Sequence, residues 1–419
     1  MKYIIILGDG MSDWPDESGQ TPLSLAFKPN IDRIAALSEI GLCQTIPDGM
    51  SPGSDTANLS VMGCDPRLCY SGRSPLEALS MGIRMNGGDT AYRVNLVTLS
   101  EDPVYGQKTM LDYSAGEIGT EEARGLIELI KPCVPDGCEL FAGISYRHVM
   151  IERPKPGEPP ANCPPPAAGC PLRLTPPHDI SGKKVAEFLP EGAGAEKFTE
   201  FMQKSCDLLK QRRPFTAATS AWVWGAGTKP NLPSFEKEFG LKGAMISAVN
   251  LLKGIGVGMG LESVDVPGAT GTLHTNFDGK AAAAIDALKT CDFVFLHLEA
   301  PDECGHQGDK AGKIRAIELI DEKIVGPLLA AFGDGRPEQA DAARNEPAKN
   351  CVAAPFKLLI LPDHATPLCL KTHTSDPVPY LLYDAQNKKT GVQSFTEASA
   401  QSSGVLIREG HHLIKRLIP

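Results

Sequence analysis

The stretch 357–379, KLLILPDHATPLCLKTHTSDPVP, constrains the fold of this chain more than any other. Its apolar run is short and stops at Pro362, so it reads as a strand buried on both faces of a parallel sheet rather than as a helix. Asp363 and His364 follow at once. An acid and an imidazole therefore stand just beyond the carboxyl end of a strand, where the loops of open α/β sheets form the ligand crevice. A loop that presents two neighbouring side chains of this kind to one object suggests a cation, and His373, nine residues later, is placed to complete such a site.

The same arrangement recurs twice. Residues 3–7 read as a first buried strand, and the tight turn Gly8-Asp9-Gly10 ends it with a carboxylate. Residues 293–298 read as a third such strand running into EAPDECGHQGD, where Asp302 and His306 stand four apart. That spacing puts both on one face of a helical turn, although Gly305 and Gly308 fit a loop equally well. Taken singly, a strand-end Asp is as readily a turn former or helix cap. Jointly, Asp9, Asp302, Asp363, His306, His364 and His373 are six ligands of a type that suits two divalent metals such as Mn²⁺ or Zn²⁺. A hydroxyl beside a paired site is the usual apparatus for in-line displacement at phosphorus. Ser54, in SPGSDTANLSVMG, offers one: it is either a plain helix N-cap or a nucleophile at a helix start that favours phosphate.

Composition narrows the partners. A net charge of -10 over 419 residues argues against nucleic acid and anionic membrane, so an anionic substrate would need metals or a few placed Arg and Lys. The 12 cysteines include no C-x-x-C pair and read as reduced thiols in a cytoplasmic protein. The opening apolar run is too brief for a signal-peptide core, and no run approaches the roughly 20 residues of a membrane span. A homo-oligomer is compatible with the sequence.

After Gly87-Gly88 the texture changes. Strands are expected at 92–99 and 146–152, helices at 120–130 and 195–209, and 153–177 is crowded with proline. We expect an α/β fold with a mostly parallel sheet in a core of residues 1–85 and 185–419, and a smaller inserted α/β domain at 86–184. In the insertion Asp112, Arg147, His148, His178 and Asp179 are the polar residues of interest. Outside it Lys253 and Lys280 are candidate phosphate or carboxylate contacts. Ser74-Pro75-Leu76-Glu77 resembles a capping box, and 313–332 reads as one long amphipathic helix before a surface loop at 333–354. The series Gly254, Gly256, Gly258, Gly260 matches no nucleotide-binding pattern.

The motifs together carry a resemblance. ILGDGMSDWP, SPGSDTANLSVMG, SGRSPLEALSMGI, RVNLVTL, DYSAGEI, ISYRHVMI, TPPHDISGK, GAMISAVNLLKGIG, EAPDECGHQGD and LPDHATP with THTSDPVP span residues 4–379. The chain resembles the archaeal-type phosphoglycerate mutases that work without 2,3-bisphosphoglycerate, in the alkaline phosphatase superfamily. The resemblance implies Ser54 as nucleophile in a glycolytic and gluconeogenic interconversion of 3- and 2-phosphoglycerate through a phosphoserine. It also implies one metal on Asp9, Ser54, Asp363 and His364 and another on Asp302, His306 and His373. The ions would be Mn²⁺ first, with Zn²⁺, Co²⁺ or Mg²⁺ as alternatives. Arg147, Asp112, Lys253, Arg73 and Lys280 would contact a small phosphorylated substrate, over which the inserted domain closes to exclude water.

The chain departs from the family pattern at His274, where the family usually carries Asp, and in the expanded Pro-rich segment. SAWVWGAGTKP and EAPDECGH also occur in a sub-branch labelled proposed homoserine kinase, so a phosphotransferase acting on homoserine is the second reading, although no ATP phosphate loop is visible. A plain phosphomonoesterase is a third, and a non-catalytic metal-binding protein a fourth.

Overall fold

The computed structural model describes residues 1–154, 172–212, 215–333 and 354–419. It divides into two compact units, Met1–Tyr70 with Asn231–Pro419, and Ser71–Pro230. The boundaries expected at 86 and 184 both fall inside the second unit. The Pro-rich stretch and the 333–354 loop lie largely outside the described residues.

The first unit is organised on an eight-stranded sheet. Its order is Leu406–Ile407, Glu39–Cys43, Val378–Asp384, Phe356–Leu361, Lys2–Gly8, Phe293–Leu298, Gly243–Ile246 and Glu262–Val264. Only Val378–Asp384 runs against the rest. The central strands are apolar because both faces are covered: Ile4, Ile6, Val294, Leu296, Leu358 and Ile360 are buried on one face with Ile317, Ile320, Ala284 and Leu288 from helices, and Ile5, Leu7, Phe295 and Leu359 are buried on the other. Each such side chain contributes about 1.5–3 kcal/mol on burial. The mostly parallel α/β sheet flanked by helices is therefore the expected fold class.

The second unit carries an antiparallel sheet. Thr90–Leu99 pairs with Arg147–Glu152, Met110–Asp112 and Ser220–Thr228, and Arg147–Glu152 pairs with Cys138–Phe141. Helices Thr120–Ile130 and Ala195–Lys210 bury Ala123, Ile127, Phe198 and Met202 in its core.

Two local expectations are corrected. The helix at 73–80 is capped by Gly72, not by a box at Ser74, whose hydroxyl instead donates to the Gly225 carbonyl. The expected single helix at 313–332 is Lys310–Ile320, a π-turn at Asp321–Val325, and Gly326–Ala331. Pro327 lacks the N–H that would continue the α pattern, and the Gly326 N–H bonds to the Asp321 carbonyl five residues back. Of the glycines of 254–260, Gly256 serves packing, since a Cβ there would lie 2.8 Å from the Met245 Cβ. No helix among the described residues is long and apolar enough to cross a membrane.

Candidate metal centre

The site starts from strand register. In the row Phe293–Leu298, Lys2–Gly8, Phe356–Leu361 the residues His297, Leu7 and Leu361 are level. The three chains thus leave the sheet side by side, and Asp9, Asp302 and Asp363 follow within a few residues. Gly10 makes the close approach sterically feasible. Its φ is +58°, and a Cβ there would lie 2.6 Å from Asp302 Oδ1 and 2.8 Å from the Asp302 Cα. Asp302 and His306 sit on a helix, Ala300–Gln307, which Gly308 ends at φ +72°. The D-x-x-x-H spacing therefore places both side chains on one helical face.

The ligand-type atoms converge. Those of Asp9, Asp363 and His364 lie within 4.8 Å of one another, as do those of Asp302, His364 and His373. His306 Nε2 is 3.2 Å from Asp302 Oδ2 and 2.9 Å from His373 Nε2. The rings of His364 and His373 stack with centroids 3.9 Å apart. Asp363 is wholly engaged: its Oδ1 accepts from the N–H groups of Gly10 and His364, and its Oδ2 from Asn58 Nδ2 at 2.8 Å. Nδ1 of His306 lies 3.0 Å from the Lys371 carbonyl, which can only accept, so in the neutral ring the lone pair of Nε2 is the one turned toward the cluster.

The electrostatics call for a cation. Burial, with Asp363 and Asp302 nearby, raises the Asp9 pKa well above the usual carboxylate value. Its Oδ1 is buried and without a hydrogen-bond partner. Burial also raises Glu299 to about 7, with Glu303 and Asp302 adding to the effect. Asp302 goes the other way, because hydrogen bonds from His306 and His373 outweigh its burial. His306 is correspondingly raised to about 9, chiefly by Asp302. Burial lowers His364, so its ring is neutral. Buried carboxylates crowded onto the neutral His364 ring, with one oxygen orphaned, fit divalent ions bound by oxygen and nitrogen.

Ser54 is the first residue of helix Ser54–Val61, and the N-cap is Gly53. The serine therefore does not cap. Its half-buried Oγ lies 3.2 Å from His364 Nε2, at the rim of the cluster. One turn on, Asn58 Nδ2 donates both to the Ser54 carbonyl and to Asp363, which ties the serine's helix to the acid.

The remaining predicted residues are distributed more widely. Arg147 is exposed on the second unit, its guanidinium 4.6 Å over the Tyr146 ring. Arg73 is exposed at the start of Arg73–Ser80. Asp112 is used by its own loop, accepting from Ser114 and from the Gly116 N–H. Lys253 is paired with Asp265 at 2.5 Å. Lys280 is fully buried, donates to the His297 carbonyl at 3.2 Å and is lowered to about 8 by that burial. In the second unit His148 is buried with Nδ1 accepting from the Gly143 N–H, and His178 packs edge-on to Tyr113 and Trp224.

Three further residues were not singled out from sequence. His297 is 2.8 Å from Asp9 Oδ2. Thr366 donates to Asp302 Oδ1 at 2.5 Å. Lys313 is completely buried, its ammonium shared by Asp13 Oδ2 and the carbonyls of Ser12 and Thr366, which clamps the loops after two strands. A signal existed for two of them: His297 interrupts the apolar run FVFLHL, and Lys313 falls on the apolar face of its helix.

Comparison with known proteins gives a consistent set of relatives. Residues 35–214 match the family model described as 2,3-bisphosphoglycerate-independent phosphoglycerate mutase. The chain is 43% identical over 433 aligned positions to a protein of Geobacter sulfurreducens named as a probable enzyme of that kind, covering 100% of both chains. A Methanothrix thermoacetophila enzyme bearing the name is 43% identical over 428 positions, again with 100% of both covered. Among solved structures, a Pyrococcus horikoshii protein superposes with a TM-score of 0.75 at 28% identity, covering 99% of this chain and 96% of that one. The fold is also that of the cofactor-independent phosphoglycerate mutase of Thermoplasma acidophilum, with a TM-score of 0.63 at 23% identity and coverage of 100% and 99%.

Proposed function

The chain belongs to the family of 2,3-bisphosphoglycerate-independent phosphoglycerate mutases, and from that membership we propose that it interconverts 3-phosphoglycerate and 2-phosphoglycerate through a phosphoserine at Ser54. The observation that carries this reading is the position of Ser54 Oγ, 3.2 Å from His364 Nε2 at the rim of a buried acid–imidazole cluster. Asp9, Ser54, Asp363 and His364 are the residues that would hold one divalent ion, and Asp302, His306 and His373 the other. Mn²⁺ is the ion expected first, with Zn²⁺, Co²⁺ and Mg²⁺ as alternatives for the same oxygen and nitrogen donors. When bound, such ions lower the pKa of the serine hydroxyl and offset charge on the phosphoryl oxygens.

The residues then divide the work. Ser54 Oγ attacks phosphorus, the bond to the substrate's 3-oxygen breaks, and that oxygen leaves with a proton as the 3-hydroxyl of glycerate. In the second half the 2-hydroxyl oxygen loses its proton and attacks the phosphoserine phosphorus, the bond to Ser54 Oγ breaks, and Oγ takes up a proton. The start of helix Ser54–Val61 favours the phosphate through the positive end of the helix dipole. Arg147, held against Tyr146, presents a planar donor set suited to a carboxylate or phosphate, and Arg73 is the second exposed cation of the set. Lys280 supplies charge beside His297, Lys253 acts within its pair with Asp265, and Asp112 orders its loop. None of the nine cysteines described as thiols is in a disulfide, which suits the cytoplasm.

Full-length relatives bearing the mutase name favour phosphoglycerate over homoserine as the substrate. The test is turnover of 3-phosphoglycerate by Mn²⁺-loaded protein without 2,3-bisphosphoglycerate, with homoserine plus ATP followed in parallel by ³¹P NMR. Formation of 2-phosphoglycerate, lost in Ser54→Ala while metal content is kept, is the expected result. A new phosphoester only in the homoserine sample would overturn it.

A further inference from the structure

Four neighbouring parallel strands deliver a row of polar groups to one edge of the sheet. In the order Gly243–Ile246, Phe293–Leu298, Lys2–Gly8, Phe356–Leu361 these are Ser247, His297, Asp9 and Asp363. The last two belong to the cluster described above. The first two are buried, at 4% and 0% exposure, and form a hydrogen-bonded chain behind Asp9.

The protons of this chain can be placed from donors and acceptors alone. Ser247 Oγ accepts from the Val249 N–H at 3.0 Å and lies 3.1 Å from His297 Nδ1. As a metal ligand Asp9 is ionised and can only accept, so a neutral His297 ring carries its proton on Nε2, and Nδ1 accepts from the Ser247 hydroxyl. Nε2–H then donates to Asp9 Oδ2 at 2.8 Å. The result is a carboxylate with one oxygen pinned and the other, Oδ1, buried without a partner and 3.5 Å from His364 Nε2. A ring held at both nitrogens cannot turn, so Asp9 has one rotamer to offer.

We infer that His297, itself held by Ser247, is a positioning residue that restricts Asp9 to a single ligand oxygen and thereby sets the affinity of the Asp9–Asp363–His364 half for its divalent ion. This rests on the two-metal reading above. Groups one step behind a metal ligand commonly change affinity by about 10–100-fold when removed. The geometry also fixes which replacement rescues: the donor is Nε2, which a glutamine amide reproduces and a shorter asparagine does not.

The test is Mn²⁺ titration of chelator-stripped protein by calorimetry, first in the wild type and then in a His306→Ala, His373→Ala background that leaves only the Asp9 half. In that background His297→Ala and His297→Asn are expected to weaken Mn²⁺ by about 10–100-fold, with His297→Gln staying within a few-fold of the parent. Ser247→Ala weakens it in the same direction by a smaller factor, and carries the test if the His297 variants do not fold. Unchanged affinity in His297→Ala or, in its place, Ser247→Ala, or equal loss in Gln and Asn, overturns the role of His297. Failure of the wild type to take up two Mn²⁺ per chain overturns the metal reading itself, and is read from the first titration alone.

Discussion

In one half of the cluster Asp9, Asp363 and His364 are 2%, 0% and 0% exposed, and every carboxylate oxygen but one has a partner. In the other half the side chains of His306 and His373 keep 37% and 20% of their exposure, and the two rings lean on each other across 2.9 Å. The difference is one of preorganisation. The buried half has its geometry fixed before any ion arrives, because neighbouring backbone and side-chain donors have already chosen the rotamers. The open half is closed by imidazoles that solvent reaches, so water can take the place of a missing ligand. Asp302 joins them, anchored by Thr366 to the loop that also carries His364.

Removing a ligand from each half tests this contrast most severely. Asp363→Ala takes away the acceptor for Gly10, His364 and Asn58 in a dry pocket, and turnover is expected to fall by more than about 10³-fold with loss of one metal. His306→Ala exposes its position to solvent, and a loss nearer 10–100-fold is expected, with the second ion weakened but still detectable at high concentration. Elemental analysis after gel filtration, alongside rates, checks both. Equal losses would mean that the two halves bind as one unit and that burial does not rank them.

A pH series separates the halves by a second route. Metal can bind His306 only when its ring is neutral, and Asp302 raises that ring to about 9 in the metal-free protein. Below that pH, binding at the open half displaces a proton, so apparent affinity should climb about tenfold per unit and level off above it. The buried half lacks this imidazole proton, because burial lowers the His364 pKa, and the proton its ion displaces is that of Asp9, whose carboxyl burial raises. Calorimetry in buffers of different ionisation enthalpy reads the proton count directly. A flat profile between pH 7 and 9 in the half retaining His306 would remove the basis for the assignment.

The contrast also explains what was legible in the chain. Asp9, Asp302, Asp363 and His364 were readable because each stands just after an apolar strand, and a strand end is a local signal. That Ser54 begins a helix was readable too. What its hydroxyl faces was not, since His364 is 310 residues away and local pattern says nothing about such a contact. Asn58, Thr366 and Lys313 support the loops through long-range bonds and look in sequence like ordinary helix and loop residues. Asp112 and Lys253 were legible as polar residues only; the partners that engage them, Gly116 and Asp265, come from the folded chain.

Gly10 lies where the two halves meet, and changing it should disturb both by a smaller amount. An alanine would occupy φ +58° and place its Cβ within 2.8 Å of the Asp302 backbone and 2.6 Å of Thr366 Oγ1. The backbone penalty and the displaced neighbours together predict a loss of about 1–3 kcal/mol in urea unfolding. Because Asp302 is what the new methyl meets, the open half should lose more metal affinity than the Asp9 half. A variant as stable as wild type would show that the turn can relax without moving Asp302.

The smallest effect concerns the stability of the metal-free protein. His306 holds its proton to about 9 against an ordinary 6.5, so its contribution to stability is complete below pH 6.5 and is lost as pH rises through 9. His297 is lowered by burial to about 3, which gives the opposite dependence: stability is complete above pH 6.5 and falls away on acidification toward 3. These two histidines should therefore leave their marks on opposite limbs of the stability profile. The alkaline limb is the shallower one, since His306 is partly exposed and solvent screens its pair with Asp302. In chelator-treated protein, His306→Gln is expected to flatten the fall in Tm between pH 6.5 and 9.5 while leaving the acid limb intact, and His297→Gln to do the reverse. If either substitution moved both limbs together, the halves would share their protons and the division between a dry, fixed site and an open, adjustable one would not hold.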